Sequence, residues 1–310
     1  MNSATLLLPE RTRFGAQRLK GEVAKALGRA DRATVAGDQR TRIFDILPRG
    51  WPVAAVTRQR DAGDAALSAW LRADPAYVRP DINGARLLAY GSALSLTQAE
   101  CTDLLRPLRP LFGDAGFHID APTPSRWYLR LPREAKLPLF ASPDEALGAD
   151  LFEHLPDGPE GKRWRALLSE TQVVLHNHPV NEKRTIAGKP PVNSLWFWGA
   201  GTVPDHVTGS FNAVLSNDDT VHAFAAMARV AALPLPPRWG TAGGERLFDL
   251  RHIRDLTLLQ SDWITPMLSD LRKGEIGLAT LDFADGARFL FRARHQRWRF
   301  WRRPLHSFGA

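Results

Sequence analysis

A single cysteine, Cys101, occurs in 310 residues. That excludes an internal disulfide framework and any multi-cysteine metal site. No apolar run approaches the ~20 residues needed to cross a bilayer, so no membrane partner is expected. The N-terminal ATLLL is too short for a signal-peptide core, and Pro9, Glu10 and Arg11 follow it at once. A reducing cytoplasm is the expected setting. Repeats and low-complexity tracts are missing as well. Gly199-Ala-Gly201 lacks both the full GxGxxG pattern and a following helix, which argues against dinucleotide binding.

The chain does have the means to build a core. Hydrophobic residues make up 44% and charged residues 24%, an ordinary balance for a globular protein, and the length suffices for one large domain or two. We expect a single α/β domain over 1–310, with a mixed sheet flanked by helices. A Pro/Asp/Glu-rich linking excursion over 132–161 could subdivide it, and a C-terminal hairpin is expected over 277–303. The net charge is +8, with Arg far outnumbering Lys. Two readings of that charge stay open: affinity for nucleic acid or anionic ligands, and a base composition that enriches Arg, Ala, Pro and Gly together.

Periodicity and turn chemistry give a coarse map. Strands are expected at 3–8, 53–57, 85–90, 117–120, 126–131 and 211–216, and helices at 17–30, 64–71, 97–105 and 221–233. Thr97 with Glu100 has capping-box spacing. Residues 250–272 read as helix interrupted at Pro266. Ala284-Asp285-Gly286 between two apolar runs is a strong hairpin signal.

The most informative stretch is 171–204, TQVVLHNHPVNEKRTIAGKPPVNSLWFWGAGTVP. Trp164, Leu167, Leu168, Thr171, Val174 and Leu175 fall on one helical face. The helix should stop near Asn177, because His178 precedes a proline. Asn181 is placed to cap a short second helix, stopped by Gly188. Ser194–Trp198 has the length and composition of a buried strand, and Gly199 and Gly201 would let the chain turn sharply after it. Open α/β sheets put ligands at such strand ends.

The HNHPVN…NSLWFWGAG block resembles the His-Pro-Val-Asn…Asn…Trp-x-Trp-Gly-x-Gly block of archaeal-type cofactor-independent phosphoglycerate mutases. It is still more similar to RpfE-type bacterial regulatory proteins, and ADPAYVRPDINGARLLA and RWYLRL extend that likeness over about Trp70 to Pro204. Related sequences often carry His and Leu where Tyr77 and Val78 stand here. The resemblance implies an alkaline phosphatase superfamily fold. In active members it also implies two divalent metals held by Asp and His, with a serine nucleophile that becomes phosphorylated; two metals would clamp the attacking and leaving oxygens. This chain opens ATLLLPERTRF, without the acidic metal motif of the family. Asp205, His206, Asp218, Asp219 and His222 do not reproduce its second metal block, and Asp282 and Asp285 fit a turn better than a metal site.

The expectation is a regulatory relative without mutase activity and without a cofactor. The alternative is a divergent phosphotransferase using Mn or Mg. A small phosphorylated or carboxylated ligand would meet His176, His178, Asn181, Arg184, Asn193, Gly199 and Gly201, with Arg126 and Arg130 as anion contacts. The competing reading has the asparagines satisfying backbone groups where the chain reverses, and Trp196 and Trp198 as core. The C-terminal RARHQRWRFWRR interleaves arginines with aromatics, a nucleic-acid pattern. Its alternation over 296–300 favours a half-buried strand with Trp298 and Phe300 facing the core. No protein partner is named by the sequence.

Overall fold

The structure, a computed structural model, describes residues 2–308 apart from 83, 133, 241–242, 293–295 and 297. The chain forms two compact units, one of residues 1–50 with 205–310 and one of residues 51–204. The boundaries lie at 50/51 and 204/205, while the 132–161 segment runs inside the second unit.

The first unit begins with β1 (Ser3–Leu8), α1 (Gly21–Arg29), β2 (Asp31–Thr34) and β3 (Phe44–Leu47). The second comprises α2 (Val53–Ala62), β4 (Ala69–Asp81), β5 (Gly84–Tyr90), α3 (Gln98–Asp114), β6 (His118–Thr123) and β7 (Arg126–Leu131). It continues through α4 (Pro143–Ala146), α5 (Gly158–His176), α6 (Pro179–Ile186) and β8 (Ser194–Gly201). The first unit resumes with β9 (His206–Gly209), β10 (Ala213–Leu215), α7 (Asp219–Met227), β11 (Ala231–Leu233) and β12 (Glu245–Asp249). Next, α8 (Leu256–Leu258) runs through a π turn (Leu259–Ile264) into α9 (Thr265–Lys273). The hairpin β13 (Leu278–Phe283) and β14 (Ala287–Arg292) follows.

In the first unit a mixed seven-stranded sheet has the order β11-β10-β12-β1-β13-β14-β2. Its first five strands are parallel, and β14 and β2 are antiparallel. Leu6 and Leu8 of β1 enter a core with α1 and α9, and the alternate Leu7 points to the opposite face. On β1, Leu7 lies between Asp249 of β12 and Asp282 of β13 in register. The fold class expected from sequence is the one observed. No helix among the described residues is long and apolar enough to cross a membrane.

The second unit is built on the long β4, which pairs antiparallel with β5 and β7 along one edge and with β8 along the other. Alternation gives this sheet two different faces. Leu71 and Ala73 join Leu195, Phe197, Trp127 and Leu129 in an apolar core with α3 and α5. Their neighbours Trp70, Arg72 and Asp74 face the other way.

Three local expectations are corrected. Residues 53–57 are the start of α2: the apolar run continues into polar residues and stops at a left-handed Gly63 (φ 74°), which a strand has no use for. Residues 64–71 lead into β4, whose period-two alternation outweighs the helical composition of DAALSAWL. Residues 221–233 split into α7 and the short edge strand β11, because Arg229 at φ 56° breaks the helix.

Candidate functional site

The chain from His176 to Gly201 reverses twice, and most of its polar side chains hold those reversals. α5 ends at Asn177 and His178, fixed in an extended conformation ahead of Pro179, caps α6 by accepting the Val180 N–H on Nδ1 at 3.3 Å. Asn181 is therefore inside the helix, not its cap. Its amide nitrogen donates to Leu175 O (2.6 Å) and Val192 O (2.8 Å), and its carbonyl accepts Val192 N–H (2.8 Å). Arg184, 1% exposed, donates to Pro190 O, Leu94 O and the Glu100 carboxylate. Glu100 closes the capping box of α3 with Thr97, so Arg184 ties α6 to α3. Asn193 meets both the N–H and the carbonyl of Val78, as a strand residue would.

Gly199 and Gly201 continue β8 instead of turning it. A Cβ on Gly199 (φ 65°) would stand 2.8 Å from Val53 Cβ, and one on Gly201 would stand 2.5 Å from Pro52 Cβ. The glycines let the start of α2 lie directly on the strand. Across three strands Arg130, Trp70 and Gly201 are in register, and Arg130 donates to Ser68 Oγ. Arg126 forms a bidentate pair with Asp61. His176, His178, Asn181, Arg184 and Asn193 thus gather at one end of β8, and Gly201 and Arg130 lie at the other. At ~3.3 Å per residue the two groups are about 20 Å apart.

Between α2 and the sheet lies a layer that sequence reading missed. Arg72, 5% exposed, forms a bidentate pair with the fully buried Asp74, which also accepts Trp198 Nε1–H at 2.8 Å. Arg58 pairs with Asp64 and Asp120 and stacks over Trp70 at 4.6 Å. Burial pushes the Asp74 carboxyl up against the pull of Arg72. Burial likewise raises the Tyr128 phenol, whose hydroxyl donates to Asp61 at 2.6 Å. The signal was the alternation Trp70, Arg72, Asp74 along β4, and Trp196 and Trp198 share that face as expected.

In the first unit, charged side chains collect at the carboxyl ends of parallel β1, β10, β12 and β13, where open α/β sheets bind ligands. Asp249 accepts Arg251 Nε at 2.7 Å and Nη2 at 2.7 Å, and Ser216 Oγ at 2.7 Å. The same Nη2 reaches Asp218 Oδ2 at 3.0 Å, while Asp218 Oδ1 caps α7 through Thr220 N–H. His222 Nε2 lies 2.7 Å from Ser216 O. Asp282 is paired with Arg42 at 3.1 Å and Arg288 at 2.6 Å. Gln39 bridges Leu8 O and Asp282 O. Burial alone would raise the Asp249 carboxyl, but the Arg251 guanidinium and the Ser216 hydroxyl outweigh it and hold it below the usual carboxylate range.

These residues do not fit a pair of divalent metals. Among the described residues no group of three or more His, Cys, Asp or Glu side chains could hold a metal ion. The best-placed carboxylates, Asp218, Asp249 and Asp282, already carry guanidinium partners, and β1 ends in Leu7 and Leu8, with no carboxylate at its last two positions.

No family model matches the chain. A probable 2,3-bisphosphoglycerate-independent phosphoglycerate mutase of Geobacter sulfurreducens is 31% identical over 143 residues, 44% of this chain and 36% of that protein. The 2,3-bisphosphoglycerate-independent phosphoglycerate mutase of Methanosarcina acetivorans is 33% identical over 103 residues, 32% of this chain and 26% of its own length. Part of this chain is homologous to cofactor-independent phosphoglycerate mutases. It spans only about a third of the curated mutases it matches. A Thermoplasma acidophilum cofactor-independent phosphoglycerate mutase structure has a TM-score of 0.44 at 14% identity, covering 95% of this chain and 91% of that one. A Pyrococcus horikoshii protein has a TM-score of 0.48 at 11% identity, covering 99% and 90%.

Proposed function

We propose that this phosphoglycerate mutase relative is an RpfE-type regulatory protein that binds a small phosphorylated or carboxylated ligand without turning it over. The observation that carries the reading is Arg251. Its guanidinium occupies Asp249 and Asp218 at the strand ends, so the carboxylates that phosphoryl transfer on this fold would commit to divalent metals are neutralised from within the chain. Opening the pair is costly on the Asp249 side, because that buried carboxylate would be left as an uncompensated charge.

The ligand would be taken at the His176–His178 corner. With Nδ1 of His178 accepting the Val180 N–H, that ring carries its proton on Nε2, a donor suited to phosphate or carboxylate. His176 is exposed beside it. Asn181, Arg184 and Asn193 would hold the corner in shape and not touch the ligand.

The test is calorimetric titration with 3-phosphoglycerate, alongside a mutase assay with and without added Mn and elemental analysis of the purified protein. Binding should occur without turnover and weaken at least about fivefold in His178→Asn, whose side-chain oxygen can accept the Val180 N–H in place of Nδ1 but which lacks Nε2–H. Mn-dependent turnover would overturn the reading in favour of a divergent enzyme. Absence of binding would remove the ligand from it.

A further inference from the structure

Three large apolar side chains of the first unit stand in solvent close together in sequence: Trp298 at 63%, Phe300 at 74% and Trp301 at 68% exposure. The half-buried strand expected here is not what forms. β14 ends at Arg292, residues 293–295 and 297 lie outside the described residues, and among the described residues of 292–303 the buried side chain is Gln296. Gln296 donates to Leu290 O and Asp31, so an amide takes the inward position and the aromatics turn out.

Their exposure is built into the fold and is no frayed end. Leu305 N–H donates to Ala24 O and Leu19 N–H to His306 O, both at 2.9 Å. Phe308 lies in the core, 4.8 Å from Phe283. The chain crosses α1 so closely at Gly28 that a Cβ there would collide with the Arg303 carbonyl. Arg299 and Arg302 each donate to a carbonyl at the end of α1, Arg29 O and Ala30 O, at 3.0 Å. A backbone pinned on both sides thus holds the rings away from the core.

The surroundings are basic. Asp31 is engaged by Arg292, Arg299 and Gln296. Among the described residues no carboxylate pairs with Arg32, Arg302 or Arg303. Arg32 is exposed on β2, an edge strand of the seven-stranded sheet, and directly follows Asp31, which Arg299 engages. Phe300 and Trp301 meet edge to face at 5.5 Å and 80°, so they present two differently oriented planes set among guanidinium groups.

We propose that residues 298–303 and the β2 edge form a binding surface for single-stranded nucleic acid, a function separate from ligand binding at the His176–His178 corner. Phe300 and Trp301 stack on bases, and Arg32, Arg302 and Arg303 meet the phosphates. Such binders combine a basic track with aromatic platforms, and guanidinium suits phosphate in a way a point charge does not. A bilayer would need a contiguous apolar face. Here three arginines are interspersed with three aromatics along Trp298-Arg299-Phe300-Trp301-Arg302-Arg303, so inserting the rings would carry guanidinium groups with them.

The full chain would be titrated into a fluorescein-labelled oligodeoxythymidylate and an oligouridylate, reading anisotropy over a salt series. Phe300→Ala/Trp301→Ala should weaken binding at least about tenfold, as expected when two stacking platforms are removed. Arg32→Glu/Arg303→Glu should weaken it and flatten the salt dependence by roughly 0.7 log units for each phosphate no longer neutralised. Unchanged far-ultraviolet circular dichroism and Tm would show that both variants fold. Equal affinity of wild type and Phe300→Ala/Trp301→Ala would overturn the proposal, as would no binding at all. Capture on phosphatidylglycerol vesicles without oligonucleotide binding would replace it with a membrane contact. Ring-dependent self-association in sedimentation, again without oligonucleotide binding, would replace it with a second copy of the chain.

Discussion

Arg251 concentrates the electrostatics of the first unit in one side chain. Its removal in Arg251→Met leaves Asp249, 5% exposed, as a buried carboxylate without its cation, at a cost of about 3 kcal/mol. In the wild type the depressed carboxyl contributes stability above its unfolded value of about 4, and that contribution disappears as pH falls through the lower folded value. In the variant, desolvation is opposed only by the Ser216 hydroxyl and the residue-251 backbone N–H, so the carboxyl rises. The loss should therefore be larger at pH 7 than near pH 4, where the group can take up a proton. Urea denaturation at the two pH values reads this directly; an equal loss at both would show that Arg251 acts by packing alone. Cys101 offers a second residue-scale check. Burial pushes its thiol up to about 11, so at pH 8 Ellman's reagent should leave the folded protein unlabelled and react with one thiol only after unfolding.

The seam between α2 and β8 depends on glycine at two positions. Gly199→Ala combines a left-handed φ of 65° with a methyl 2.8 Å from Val53, and should cost on the order of 2–4 kcal/mol in chemical denaturation. Gly63→Ala, where a Cβ meets nothing within 4 Å, should cost only the backbone strain, on the order of 1–2 kcal/mol. Asn181→Asp would replace the one nitrogen that donates both hydrogen bonds with a carboxylate oxygen that repels Leu175 O and Val192 O. It should destabilise the α5–α6–β8 reversal by at least about 2 kcal/mol, seen as faster hydrogen exchange at the start of β8.

These same elements mark how far sequence could be read. The α5 face, the Thr97–Glu100 capping box, the Asp-Gly hairpin and the SLWFW strand were legible because local chemistry alone specifies them. Residues 53–57 were not, since four apolar residues and a threonine suit a helix or a strand equally and a glycine six positions beyond Thr57 decided the matter. The role of Gly199 and Gly201 was hidden because it belongs to Val53 and Pro52, some 146 to 149 positions away by register with nothing in the local pattern to announce it. Of the expected site, the residue types were recognisable but their partners were not. Asn181, Arg184 and Asn193 bond to backbone groups that no sequence pattern marks. Trp298 and Phe300 were misplaced because Gln296, a polar residue, took the inward position.

At the scale of the whole molecule, the two units have separate cores with no residue in common. Substitutions should respect that division. Hydrogen exchange measured by mass spectrometry should respond to Arg251→Met over residues 1–50 and 205–310, and to Asn181→Asp over 51–204. A change spread evenly over both would show that the units unfold as one.

The order of strands in the first sheet also carries a timetable. Asn2 and Gly244 are hydrogen-bonded across 242 residues of chain, and among the described residues β1 pairs with β12 and β13. At roughly 5–20 residues per second, a ribosome makes β1 tens of seconds before either neighbour exists. Every partner of β4 and β8, by contrast, lies within residues 69–201. The apolar SATLLL strand must therefore wait while the second unit is completed, which makes it the stretch most in need of shelter from a chaperone during synthesis.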